Sequence, residues 1–209
     1  MNAKKLSFLL LILVAVACTN RSTSSEQDEM RHWNNVLQQI NALLLENKAR
    51  QTLDLAKQTL PEILESAEKN GTTDTLIYYA RKIFNACGNN YINTKQYKDG
   101  IDYMDSIGNH PLIREHCPHE LLSFKAGLNQ LYGNNPEAVR LAEDYLQLPV
   151  CTSANDFIRQ AEIISGVYMY SGNNLPKAIQ ILEKAIDVYR KGGNFPNMLR
   201  IMSRLGIYY

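Results

Sequence analysis

Apolar side chains recur every three or four residues through most of the chain after residue 30, which is the spacing of one helix face. No segment shows strict apolar alternation long enough for a strand. Pro136 and Pro176 are expected at helix starts, where a missing N–H costs nothing. Short polar turns interrupt the helical pattern at Glu46-Asn47, Asn93-Thr94-Lys95, Gly133-Asn134-Asn135-Pro136 and Ser171-Gly172-Asn173-Asn174. The pattern therefore predicts an all-α fold of antiparallel helix pairs.

The first residues show a different pattern, an uncharged apolar block. Lys4 and Lys5 precede a run without charge from Leu6 to Ala17. A positive start, a short apolar region and small residues before a cleavage point are the three parts of a signal peptide. The block is shorter than the roughly 20 apolar residues of a membrane span. Residues 1–17 are therefore predicted to be a cleaved signal peptide.

The cleavage region carries a second signal. Ala15-Val16-Ala17-Cys18 resembles the lipobox of bacterial lipoproteins, and the resemblance implies that the Cys18 thiol receives a diacylglycerol and becomes the mature N-terminus. The residues before Cys18 also satisfy the small-x-small rule of an ordinary signal peptidase, which would cut the same bond. A cysteine directly after the cut favours the lipoprotein, since it is unexpected in a soluble secreted protein. Residues 18–29 are polar and are predicted to form a flexible tether to a membrane of the bacterial cell envelope.

Large and small residues recur along the helical region in a fixed order. Ala126, Gly166 and Gly206 are spaced by 40 residues, and units begin at 33, 84, 122, 162 and 202. The matching positions are Trp33, Val36, Leu37, Ile40, Ala49, Leu53, Ala56 and Pro61 in the first unit, Phe84, Cys87, Gly88, Tyr91, Gly100, Met104 and Ile107 in the second, Leu122, Ala126, Ala138, Ala142 and Tyr145 in the third, Glu162, Gly166, Met169, Ala178, Leu182 and Ala185 in the fourth, and Met202, Leu205, Gly206 and Tyr209 in the fifth. This order resembles the tetratricopeptide repeat (TPR) family.

The resemblance implies a right-handed superhelix of about four and a half TPR-like helix hairpins over residues 30–209, used as a binding scaffold. Small residues are expected where the two helices of a hairpin touch, and large ones between neighbouring hairpins. Apolar residues of the unfinished fifth hairpin, among them Met202, Ile207 and Tyr209, are expected to be covered by a partner or by further chain.

In such a superhelix the first helix of each pair lines the concave wall, where binding is expected. Amides dominate the wall, and they suit the backbone of an extended peptide or a sugar, because each offers a donor and an acceptor. Ordinary solvated side chains are the alternative interpretation. The Lys and Arg arrangement with which some members grip a C-terminal carboxylate is not reproduced. The exposed wall positions are predicted to be Asn34, Gln38, Asn41, Lys82, Asn85, Asn89, Asn93, Ser123, Gln130 and Tyr170.

Cysteines and histidines offer two further candidate sites. Cys117 and Cys151 flank the third hairpin symmetrically, so an oxidising envelope allows a disulfide between them. Cys87 lies at a packing position and is predicted to be a small buried hydrophobe. His110, His116, Cys117 and His119 include soft-metal ligand types, but their spacing matches no established zinc site. A polar inter-repeat loop is therefore favoured, and no metal or cofactor is expected.

Charge and motifs narrow the function. Cleavage of the signal peptide removes Lys4 and Lys5, which lowers the net charge from +1 to about −1. The mature chain therefore lacks the excess of positive charge that nucleic-acid binding requires. No activated nucleophile, phosphate loop or HExxH motif points to an enzyme. The sequence favours an envelope-anchored scaffold that binds a protein or peptide. The resemblance also allows the periplasmic sensory part of a LuxR-type regulator or sensor kinase, and a metal-binding envelope protein is a weaker alternative.

Overall fold

A computed structural model describes residues 28–149, 154–192 and 195–209, and all regular secondary structure in these ranges is α-helical. Residues 1–17, predicted to be a signal peptide, lie outside the described residues, as do Cys18 and Cys151. None of the helices in the described ranges combines the length and apolar character that crossing a bilayer requires. The helices are α1 (28–45), α2 (Ala49–Asn70), α3 (Asp74–Asn93), α4 (Tyr97–Gly108), α5 (Pro111–His116), α6 (Pro118–Tyr132), α7 (Asn135–Gln147), α8 (Ala154–Tyr170), α9 (Leu175–Gly192) and α10 (Phe195–Tyr208).

The helices pair as the turn signals predict. Short turns join α1 to α2, α3 to α4, α6 to α7 and α8 to α9, while α10 packs on α9 as the first helix of a fifth pair. Each of the four turns contains one residue with positive φ, namely Asn47, Lys95, Gly133 and Asn173. Glycine and asparagine adopt this conformation most readily, which explains why these residue types mark three of the turns. The all-α arrangement of four and a half hairpins is confirmed.

The first hairpin is longer than the sequence pattern predicts. α1 includes Asp28 and Glu29, which the sequence pattern places in the tether, because the Glu29 carboxylate accepts a hydrogen bond from Ser66 Oγ at 3.0 Å. Pro61 is expected near the end of the second helix, yet α2 continues through it to Asn70. The extension is stabilised by burial, since Ile63 and Ala67 lie in the core.

Buried side chains form two clusters that meet at α6. The first cluster runs from Trp33 to Leu128 and includes Phe124, while the second runs from Ala126 to Tyr208. Because residues of α6 belong to both clusters, this helix joins the two halves of the array. The main contacts among α2 to α10 lie within a hairpin or between consecutive hairpins, as in other repeat proteins.

Candidate interaction surface on the first helices

The predicted wall residues lie on the first helices α1, α3, α6 and α8. Ser123 is the exception to the predicted exposure, because its side chain is fully buried and its hydroxyl donates to the carbonyl of Glu120 at 3.0 Å. The local bond satisfies the hydroxyl and lets the small residue pack inside. The exposed positions are Asn34, Gln38, Asn41, Asn93 and Tyr170, and the partly exposed positions are Lys82, Asn85, Asn89 and Gln130.

Neighbouring first helices approach closely where one of them has glycine. A Cβ added at Gly88 of α3 would lie 2.4 Å from the ring of Phe124 on α6. A Cβ added at Gly127 of α6 would lie 2.6 Å from Cγ2 of Ile163 on α8. Both glycines thus contact the next hairpin, whereas the sequence pattern places Gly88 inside a hairpin and makes no prediction for Gly127. Gly100 fits that expectation only in part, because its added Cβ would meet Tyr91 of the same hairpin and Leu128 of the next hairpin, each at 3.0 Å.

The interface between α8 and α10 differs, because nothing fills the space beside its glycine. A Cβ added at Gly166 of α8 would meet no described atom within 4 Å. A pocket of about 210 Å³ opens there, and we call it the Gly166 notch. It is lined by Ile92, Gly127, Gln130, Leu131, Glu162, Ile163, Gly166, Tyr170 and Arg204.

The notch has apolar walls and a polar rim. Gln130 and Tyr170 are the two predicted wall residues that it brings together, and Tyr170 is 63% exposed. The predicted positions on α1 and α3 lie on earlier helices of the wall and do not line the notch. An apolar lining with few convergent polar groups is the usual composition of a small binding site.

Two arginines one turn apart on α10 stand in different electrostatic surroundings. The Arg200 guanidinium donates to both carboxylate oxygens of Glu162, from Nε to Oε1 at 3.0 Å and from Nη2 to Oε2 at 2.7 Å. The Glu162 carboxylate is only 7% exposed, so this bidentate pair satisfies a buried charge. Arg204 lines the notch, is partly exposed and makes no hydrogen bond or ion pair within the described residues.

Arg204 and the apolar lining residues were missed by sequence reasoning. Other basic residues near the C-terminus lie on solvated helix faces, as Arg190 does, whose exposed guanidinium pairs with Asp187 at 3.2 Å. The sequence does indicate that Arg200 and Arg204 lie on one face of α10, because they are four residues apart. Nothing in the sequence distinguishes the paired arginine from the unpaired one.

The cysteine and histidine candidates do not form a common site among the described residues. Cys117 is buried at the junction of α5 and α6, and its pairing with Cys151 stays a prediction. His110 caps α5, since its Nδ1 accepts from the Leu112 N–H at 3.2 Å. His119 Nε2 lies 2.7 Å from the carbonyl of Pro149. No group of three or more potential metal ligands is present among the described residues.

Burial controls the chemistry of the one other cysteine in the described core. Cys87 is fully buried, as predicted, and lies 3.9 Å from the Tyr103 hydroxyl. Burial in an apolar environment raises the pKa of the Cys87 thiol to about 12. Since the thiolate is the nucleophile, Cys87 is not activated for covalent chemistry. Burial also raises the pKa values of the Tyr91 and Tyr103 hydroxyls.

Comparison with known proteins identifies the fold. No family model matches this chain, and no curated protein matches it. This chain is similar to two crystal structures of a proposed kinesin light chain from Podosopora anserina that has nearly identical TPR-like repeats. One of the two structures carries a single substitution. Each is 12% identical and covers 84% of both chains, with TM-scores of 0.52 for the substituted form and 0.51 for the other. At this identity the likeness supports the fold alone, a helical array of the TPR type.

Proposed function

We propose that this protein is an interaction scaffold that binds an extended segment of a partner protein along its first helices. The observation that carries the proposal is the Gly166 notch, an open site on the wall, whereas the space beside Gly88, at the same repeat position, and beside Gly127 is filled by the next first helix. Core packing normally fills such space, because interiors are close-packed. An open apolar pocket with a polar rim therefore suits a ligand side chain.

The polar residues of the wall fit a peptide backbone. Gln130 at the notch rim and Asn93 on α3 offer amide donors and acceptors, which match the N–H and C=O groups of an extended chain. Tyr170 offers a large, exposed ring at a low entropic cost, as recognition surfaces commonly do. A peptide lying across α6 and α8 would contact these side chains and place one of its own in the notch.

A random peptide library tests this function. Peptides selected on the immobilised protein are expected to lose about tenfold or more in affinity with Tyr170→Ala, because truncating an aromatic anchor costs roughly 2 kcal/mol. Fluorescence anisotropy measures the dissociation constants. Tyr132→Ala is the matched control, since Tyr132 is 55% exposed on α6 and does not line the notch. Equal losses in both variants, or a library without binders, would contradict the proposal.

We further propose that the scaffold is exported and anchored through a lipid on Cys18. The support is the signal-peptide pattern with its lipobox resemblance, and the anchor would hold the wall at a membrane of the cell envelope. Palmitate labelling of the bacterial host is expected to label the wild type and Cys87→Ala but not Cys18→Ala. Failure to label the wild type would remove the anchor and leave the scaffold function standing.

A further inference from the structure

The charge of Arg204 has no assigned role. Several other cations in the described ranges have a carboxylate beside them, for example Lys125 with Asp105 and Lys177 with Glu143, each pair at 2.5 Å. Arg204 has none within the described residues, although it is partly buried at the edge of an apolar pocket. A guanidinium withdrawn from water loses solvation, and a carboxylate that forms charge-assisted hydrogen bonds compensates for that loss. The Glu162 carboxylate, the acidic group of the notch, already binds Arg200.

The size of the notch limits what enters it. Its volume of about 210 Å³ exceeds the roughly 150 Å³ of a cavity that holds benzene, yet it is below the roughly 300 Å³ at which drug-sized sites begin. One side chain therefore fits. Ile92, Leu131 and Ile163 supply apolar walls, so an aliphatic or aromatic side chain is favoured over a polar one.

Taken together, these features lead us to infer that the Gly166 notch recognises an apolar side chain next to a carboxylate, with Arg204 binding the carboxylate. The inference rests on the proposed peptide-binding function and specifies its ligand. Arginine is suited to this role, because its planar fork can bind both carboxylate oxygens, as Arg200 does with Glu162. The Lys and Arg arrangement with which some TPR proteins grip a C-terminal carboxylate is not needed for this contact, since Arg204 alone supplies the positive charge in the notch lining. The carboxylate has two possible sources in a peptide, the C-terminus and an Asp or Glu side chain.

Three random peptide libraries distinguish these sources. The first has free C-termini and lacks Asp and Glu, the second is C-terminally amidated and contains Asp and Glu, and the third is amidated and lacks both residues. We expect the best binders of the first or the second library to bind at least about tenfold more tightly than those of the third, which is the gain expected from one charged hydrogen-bonding pair. An apolar residue should be enriched beside the carboxylate.

Substitutions assign the effect to the notch. Arg204→Gln should remove the carboxylate preference, and Arg204→Lys should retain part of it, because it keeps the charge without the fork. Arg190→Gln is the matched control on α9 and should leave the preference unchanged. Gly166→Leu should fill the notch and weaken binding of the apolar side chain by about tenfold or more, the loss expected from about 1.4 kcal/mol. Gly206→Leu is the matched control and should leave binding unchanged, because Gly206 lies outside the notch and an added Cβ there also meets no described atom within 4 Å.

The outcomes separate the two proposals. If peptides are selected equally well from all three libraries, or if Arg204→Gln leaves the preference intact, the peptide-binding function stands and the carboxylate inference is wrong. If no library yields binders, the peptide-binding function itself fails. Circular dichroism and thermal unfolding of each variant identify any loss that comes from misfolding, and Gly166→Leu is expected to fold because leucine is the better helix former.

Discussion

The α3–α6 and α8–α10 interfaces show how one repeat position can serve packing or binding. Gly88 and Gly166 occupy the same position in their repeat units, each on a first helix facing the next first helix. The Phe124 ring covers Gly88, whereas Gly166 faces open space. The glycine is equally small in both places. What differs is the side chain that the following helix provides.

Arg204 occupies in the fifth unit the position that Phe124 occupies in the third, two residues after the start of each unit. Phe124 is fully buried and packs edge-to-face on Phe84, with ring centroids 6.1 Å apart. An arginine cannot replace that ring in the core, because its charge must remain solvated or paired. The exchange of an aromatic for a cation is therefore the physical reason that the second interface remains open.

Phe124→Ala should be the largest perturbation of the closed α3–α6 interface. Removing a buried ring leaves a cavity beside Gly88, and such changes cost about 3 to 5 kcal/mol of unfolding free energy. Urea denaturation followed by circular dichroism measures the loss. A cost below about 1 kcal/mol would mean that the ring does not hold this interface together.

Gly88→Ala should destabilise the same interface by a smaller amount. Its new Cβ would lie 2.4 Å from the Phe124 ring, and overpacking of this kind costs about 1 to 3 kcal/mol. A Phe124→Leu background should reduce the cost, because the two positions are in contact and their effects are coupled. Additive free energies in the double variant would contradict direct contact between the two side chains.

The stability of the folded protein should decrease at alkaline pH, because the buried Cys87 thiol beside Tyr103 resists ionisation. Because burial raises the pKa of Cys87, its thiol stays protonated in the folded protein at a pH where the thiol of the unfolded chain ionises, which is above about 8.5. The stabilisation is complete below that pH and falls as pH rises toward 12, by at most about 1.4 kcal/mol per pH unit. Urea denaturation at pH of about 8 and of about 9.5 measures the change in unfolding free energy below the ordinary tyrosine pKa of about 10. The decrease in unfolding free energy between these pH values should be smaller in Cys87→Ala.

Gly166→Ala should have the smallest effect and the opposite sign to Gly88→Ala. No described atom lies within 4 Å of the added Cβ, and replacing a helical glycine by alanine stabilises by roughly 0.5 to 1 kcal/mol. Differential scanning calorimetry should show an increase in Tm of about 1 to 4 °C. A decrease would indicate that the α8–α10 interface is closed in solution.

Local signals predict the helix pairs well and the site only in part. Turn residues such as Gly133 and Asn173 mark the hairpins, because positive φ restricts the choice of residue. The pattern predicts exposure correctly for Tyr170 and in part for Gln130 but not for Ser123, whose hydroxyl is satisfied within its own helix. Pro61 does not end α2, because the buried residues that follow it outweigh its local preference.

The sequence by itself determined the helices, their pairing and the repeat positions, since these depend on periodicity and on turn residues close together in the chain. Only the tertiary structure decided which glycine is covered and which arginine is paired. Gly166 and Arg204 lie 38 positions apart in the chain and become neighbours only when α10 packs beside α8. The notch exists because that packing brings a charged residue to the position where an aromatic ring closes the earlier interface.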